Sequence, residues 1–224
     1  MAPTLAFDVY GTLIDPLGIS RQLQSIAGDT TPAFARLWRS TQLEYLFRRG
    51  LGRDYQPFSV CTRQALDYTA KQLQVEVSVA ATRKLLDAYR ELPAFAEAPA
   101  ALRQLQAVGC RTYAFSNGEP DDLRCLLAHA GLDALLDGIV SVHEVRSFKP
   151  DPAVYAHFLQ TAGATADATW LVSGNSFDVI GALAAGWQAA WVRREPGVVF
   201  DPWGVAPTVV VSNLEELHAA VMRD

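Results

Sequence analysis

Short apolar runs alternate with amphipathic stretches along most of the chain. Leu5–Val9, Arg111–Phe115, Gly138–Val142, Thr169–Val172, Ala189–Val192 and Thr208–Val211 read as strands. The spacing between them predicts helices over Pro99–Ala107, Pro120–Ala130, Pro152–Thr161 and Asp178–Ala185. Pro152 suits a first helical turn, and Gly109, Gly131, Gly163 and Gly186 stand where helices should stop. Strands that alternate with helices imply a mostly parallel sheet with helices on both faces.

The stretch from Asp15 to Leu92 breaks this alternation and contains no strand pattern. Helical windows cover Leu17–Ile26, Ala33–Arg48, Phe58–Leu73 and Val79–Tyr89. The chain therefore divides into a doubly wound, Rossmann-like core over 1–14 and 93–224 and a helical cap subdomain over 15–92, inserted after the first strand. Such an insertion would cover the carboxyl edge of the sheet, where ligands bind in open α/β folds.

Composition narrows the picture. Half of the 224 residues are apolar, enough for a buried core. A net charge of -5 gives no basic footprint, so no nucleic-acid partner is expected. No apolar run is long enough to span a membrane, and Asp8 interrupts the first one, so no signal segment is read. Cys61, Cys110 and Cys125 lack disulfide or zinc spacing, and His129, His143, His157 and His218 show no metal spacing. A cytoplasmic protein with free thiols and no metal or other cofactor is expected.

Four polar clusters fall at the carboxyl ends of predicted strands. They are Phe7-Asp8-Val9-Tyr10-Gly11-Thr12-Leu13, Phe115-Ser116-Asn117-Gly118, Ser147-Phe148-Lys149-Pro150-Asp151-Pro152 and Val172-Ser173-Gly174-Asn175-Ser176-Phe177-Asp178. A doubly wound sheet gathers such ends in one crevice. Asp8 is a carboxylate able to form an ester, and Lys149 beside it would keep it ionised. Arg39 shares a helical stripe with Gln42, Leu43 and Leu46, while Phe34, Trp38, Thr41 and Tyr45 share another. One stripe can pack within the cap while the other faces the cleft. No glycine-rich phosphate loop followed by lysine occurs, and Gly174-Asn175-Ser176 does not form a nucleophile elbow.

In these motifs, and in the cap stretch Leu37-Trp38-Arg39-Ser40-Thr41-Gln42-Leu43-Glu44-Tyr45, the chain resembles the haloacid dehalogenase superfamily over its whole length. Within that superfamily it is similar to the (S)-2-haloacid dehalogenases. Phosphatases of the superfamily carry a second Asp two residues after the nucleophile, and a pair of Asp residues near the fourth strand that helps hold magnesium. Here those positions are Tyr10, Asn175 and Asp178, so a proton donor and part of the cation site are missing.

The resemblance implies hydrolytic dehalogenation of a short 2-haloalkanoic acid through an Asp8 ester, without metal and with one inversion. Asp8 matches the nucleophile. Thr12, Lys149 and Tyr155 match residues important for activity, and Arg39 would receive the halide. The amides near Val9 and Tyr10, with Ser116 and Asn117, would hold the substrate carboxylate. Ser173, Asn175 and Asp178 would orient Asp8 and the hydrolytic water, while Tyr10, Gln42, Leu43, Phe58 and Phe177 would wall the substrate. The implied partners are a small halogenated carboxylic acid and water, and the aromatic cap segment could supply a homodimer interface. The chain has Ser173-Gly174-Asn175 where many dehalogenases have two serines, and Phe177 where many have Trp. Fluoroacetate-sized acids and a strained four-membered imino acid ring therefore stay open as substrates. The superfamily phosphatase remains a further alternative that magnesium dependence would reveal. A non-catalytic binding protein should have lost one of Asp8, Lys149 or Asp178, and all three are present.

Overall fold

The computed structural model describes residues 3–222; the outermost ends of the expected core segments, 1–2 and 223–224, lie outside the described residues. Strands β1 (Thr4–Asp8), β2 (Arg111–Ser116), β3 (Gly138–Ser141), β4 (Thr169–Ser173), β5 (Gln188–Val192) and β6 (Val209–Val211) form one sheet in the order β3-β2-β1-β4-β5-β6. Every pairing is parallel. β1 is central and buried along its length, as parallel strands covered on both faces require.

The winding reverses between β1 and β4, and ligand crevices form outside the carboxyl ends of strands at such a reversal. Asp8 ends β1, Ser116 ends β2 and Ser173 ends β4. In register, Asp8 lies opposite Phe115 and Phe7 opposite Val172. Helices α5 (Ala98–Ala107), α6 (Pro120–His129), α7 (Pro152–Ala162) and α8 (Ser176–Ala184) alternate with the strands, and a short α9 (Leu217–Val221), not expected from the pattern, follows β6. The α7 segment shows why these helices start and stop where they do. Asp151 accepts from the Ala153 amide, Pro152 occupies the first turn, and Gly163 ends the helix at φ +58°.

Between β1 and α5 lie α1 (Ser20–Ala27), α2 (Thr31–Gly52), α3 (Phe58–Gln72) and α4 (Val79–Ala88). The first window begins as a 3-10 turn over Pro16–Ile19, capped by the Asp15 side chain, before α1 takes over. Helix α2 extends beyond its expected window at both ends and stops at Arg53, whose φ is +52°. Phe34 and Trp38 are buried, and the Trp38 indole donates to the Thr62 carbonyl on α3 at 2.9 Å. These two aromatics therefore tie α2 to α3 within the inserted helices. The chain enters and leaves this region side by side: Ile14 bridges Ala94 antiparallel, the Asp15 amide donates to Pro93 and the Phe95 amide to Leu13, each at 2.9 Å.

Candidate active site

The loop leaving β1 is tightly wound. The amides of Thr12, Leu13 and Ile14 all donate to the Val9 carbonyl, at 3.2, 3.0 and 2.9 Å. Gly11 sits at φ +95°, a conformation that a side chain would strain. This winding turns Thr12 back onto Asp8. Oδ2 of Asp8 then accepts from three groups: Thr12 Oγ1 at 3.1 Å, Ser173 Oγ at 3.4 Å and Asn175 Nδ2 at 2.7 Å. The donors are themselves held, since Thr12 Oγ1 accepts from the Gly174 amide at 2.9 Å and Ser173 Oγ from the Asn175 amide at 3.0 Å. Oδ1 of Asp8 meets Lys149 Nζ at 3.4 Å. One carboxylate oxygen is pinned and the other is the less encumbered.

Lys149 is buried, with its nearest partner at Asp178 Oδ2, 2.7 Å away, and a further bond to the Phe115 carbonyl at 2.8 Å. The ammonium is thus shared by two carboxylates, with Asp178 the closer. Tyr155 donates to Asp178 Oδ1 at 2.8 Å. Burial pushes the Asp178 carboxyl up to about 6; Lys149 opposes that rise and Asp8 adds to it. Burial and the nearby Asp178 charge hold the Tyr155 phenol well above its ordinary value, so it remains a neutral donor.

Ser116 and Asn117 lie beside this cluster and already have protein partners. Ser116 Oγ accepts from the Gly118 amide at 3.1 Å, and Asn117 Oδ1 accepts from the Lys149 amide at 2.9 Å. Asn117 therefore ties the lysine's backbone to the end of β2.

Helix α2 contributes a second polar group. Arg39 on α2 donates through Nη2 to the Tyr10 carbonyl at 3.0 Å and through Nη1 to Gln42 Oε1 at 2.7 Å. The same Tyr10 carbonyl accepts from Asn175 Nδ2 at 3.2 Å. Arg39 and the amide that grips Asp8 therefore share one acceptor. Position 10 holds no acid: the Tyr10 ring stacks on Phe58 with centroids 4.9 Å apart and lies 5.7 Å from Tyr89. Burial raises the Tyr10 phenol above its ordinary value, so it too stays neutral. Phe177 packs edge-on against Phe47 at 4.9 Å. Leu43 is half-buried against the apolar core, and Val9 is fully buried, with its carbonyl taken up by the loop.

Besides Phe47, three supporting residues escaped the sequence analysis. Tyr89 donates to Gln42 Oε1 at 3.2 Å. A Cβ at Gly181 would lie 2.3 Å from the Tyr155 hydroxyl, so only glycine leaves room for that tyrosine beneath α8. Arg194, paired with Glu97 at 2.8 Å, donates to the carbonyls of Gly11 and Thr12 and clamps the loop from behind. None of the three stands in a recognisable motif; their role depends on which elements the fold packs together. Among the described residues, no group of three or more His, Cys, Asp or Glu is placed to hold a metal ion.

Fold and site define an α/β protein with a buried aspartate–lysine centre roofed by helices. The haloacid dehalogenase-like hydrolase family model matches residues 2–186, and the chain belongs to that family. It is 36% identical over 213 residues to the (S)-2-haloacid dehalogenase H-109 of Pseudomonas putida, covering 95% of each chain. It superposes on the crystal structure of the L-2-haloacid dehalogenase RSc1362 with a TM-score of 0.95 and 31% identity, over 99% of both chains. It also matches the L-2-haloacid dehalogenase of Xanthobacter autotrophicus with chloropropionic acid covalently bound, with a TM-score of 0.91 and 30% identity, covering 99% of this chain and 98% of that one.

Proposed function

We propose that this chain is a hydrolytic dehalogenase of short 2-haloalkanoic acids that needs no metal and works through an ester on Asp8. The observation that carries this reading is the asymmetric grip on Asp8. Three donors bind Oδ2, leaving Oδ1, beside Lys149, as the attacking atom. Oδ1 forms a bond to the substrate's second carbon as the carbon–halogen bond breaks, and the halide leaves with the bonding pair. Attack from the side opposite the halide inverts that carbon. Water then adds to the Asp8 carbonyl carbon and loses a proton to Asp178, which the buried pair with Lys149 holds in place. The bond between the Asp8 carbon and the substrate oxygen then breaks, that oxygen takes the proton from Asp178, and the hydroxy acid leaves; the second proton of the water is released and the Asp8 carboxylate is restored.

Arg39 receives the halide. Two opposite charges about 4 Å apart at an effective dielectric near 20 attract by about 4 kcal/mol, and a gain that grows as the halide takes on charge lowers the barrier. Ser116 and the loop amides near Val9 and Tyr10, joined by Asn117, bind the substrate carboxylate; Tyr10, Gln42, Leu43, Phe58 and Phe177 wall its carbon chain. Residues 15–92 act as a cap subdomain, and the antiparallel Ile14–Ala94 bridge at its base supports that boundary. Three free cysteines fit a reducing cytoplasm.

The test is chloride release from each enantiomer of 2-chloropropanoate in excess EDTA, beside Asp8→Asn. Release from one enantiomer, lost in the variant, is expected. Release that needs added magnesium, or hydrolysis of phosphate esters instead, would overturn the reading.

A further inference from the structure

Tyr89 is a buried polar side chain of the cap that the chemistry above leaves without a role. It follows α4 directly and is only 6% exposed, and its ring is wedged against Tyr10 and Trp38 with centroids 5.7 and 5.3 Å away. Its hydroxyl lies 3.2 Å from Gln42 Oε1.

The direction of every bond in this group follows from Arg39. A guanidinium has no acceptor, so the Gln42 atom that meets Nη1 at 2.7 Å must be the amide oxygen. The amide nitrogen then faces Thr62 Oγ1 at 2.5 Å, and the Thr62 proton goes to the Phe58 carbonyl at 2.8 Å. With Oε1 committed as an acceptor, the Tyr89 hydroxyl can only donate to it. Oε1 thus receives one bond from a rigid, wedged ring and one from a long, half-buried arginine. The rigid donor sets where the oxygen sits, and the oxygen sets where Arg39 points.

We propose that Tyr89 is a positioning residue: its hydroxyl, acting through Gln42, aims the Arg39 guanidinium at the departing halide. This rests on the reading of Arg39 as the halide's partner. A tyrosine that only filled space would act through its ring, and Phe would replace it without loss.

The experiment compares kcat/KM, which reports carbon–halogen cleavage, for 2-bromo- and 2-chloropropanoate in the wild type, Tyr89→Phe, Gln42→Met, the double variant and Arg39→Lys. Chloride is the poorer leaving group and depends more on charge stabilisation. Tyr89→Phe is expected to lose about fivefold on the chloro acid and less than about twofold on the bromo acid, the scale of one lost hydrogen bond, with thermal stability nearly unchanged. The double variant should lose no more than Gln42→Met alone, because both break the same link. An equal loss on both halides, no loss, or full additivity would overturn the proposal. If Tyr89→Phe does not fold, Gln42→Met decides: a loss biased toward chloride supports the link, and an unbiased one overturns it. Arg39→Lys separates the two readings. If it shows the halide bias and Tyr89→Phe does not, only the Tyr89 proposal fails; if it shows none, the reading of Arg39 fails first.

Discussion

Asn175 occupies the N-cap position of α8, yet its side chain caps nothing there. An asparagine at that position ordinarily accepts from the second or third amide of the helix. Here its Nδ2 donates to Asp8 and to the Tyr10 carbonyl instead. A local rule is given up at the candidate active site. Gly181 follows the same logic: glycine within a helix costs roughly 0.5–1 kcal/mol relative to alanine, and it is retained because a Cβ would strike the Tyr155 hydroxyl at 2.3 Å. Gly181→Ala should therefore destabilise the protein, by about 1–3 kcal/mol for overpacking, and cut dehalogenation by pushing Tyr155 off Asp178. Thermal unfolding and halide release measure both. Asp178 also sets a pH dependence. Burial raises its carboxyl to about 6, so it is protonated below that pH and ionised above. Only the ionised form pairs with Lys149 and, on the proposed reading, takes a proton from water, so activity should rise with pH through about 6. A pH–rate profile with its acid limb near the ordinary carboxylate range would refute that assignment.

Among the elements, α2 performs two tasks on different faces. Phe34, Trp38 and Gln42 bind it to the other inserted helices, while Arg39 reaches the Tyr10 carbonyl just past β1. The inserted helices are also clasped to the rest of the chain away from Asp8. Glu119, just before α6, accepts from the amide and the hydroxyl of Ser59 at the start of α3, both at 2.9 Å. Arg90 pairs with Asp122 at 2.9 Å, and Tyr55 bonds His143 at 2.8 Å on another side. Glu119→Gln keeps the side chain's shape but removes the charge that serves both Ser59 donors. Faster amide exchange at the start of α3 and a raised KM are expected. Unchanged exchange would mean that this contact does not hold the cap.

At the scale of the molecule, one reversal of strand order does most of the assembly. The groups that meet at Asp8 come from as far as 167 positions away. The assembled centre is closed: Asp8 is 7% exposed, Lys149 1% and Asp178 not at all. Closure keeps the Lys149 pairs in low dielectric, where their attraction is strong, and keeps competing water few. The isolated bridge between Ile14 and Ala94 is the place where both chain crossings to the inserted helices lie together.

By itself the sequence determined the alternation of strands and helices, the helical insertion, the four polar clusters and the missing acids at positions 10 and 175. Those features are local: a period of 2 or 3.6, a proline or glycine at an end, or the identity of one residue. The short 3-10 turn at Pro16 and helix α9 were not legible, because they span too few residues to show a period. Tertiary structure alone decided which oxygen of Asp8 is pinned, that Lys149 lies nearer Asp178 than Asp8, and that Phe47, Tyr89, Gly181 and Arg194 support the site. These are contacts of a few ångströms between residues distant in the chain. They are set by strand order and by how the inserted helices pack, which no local pattern encodes.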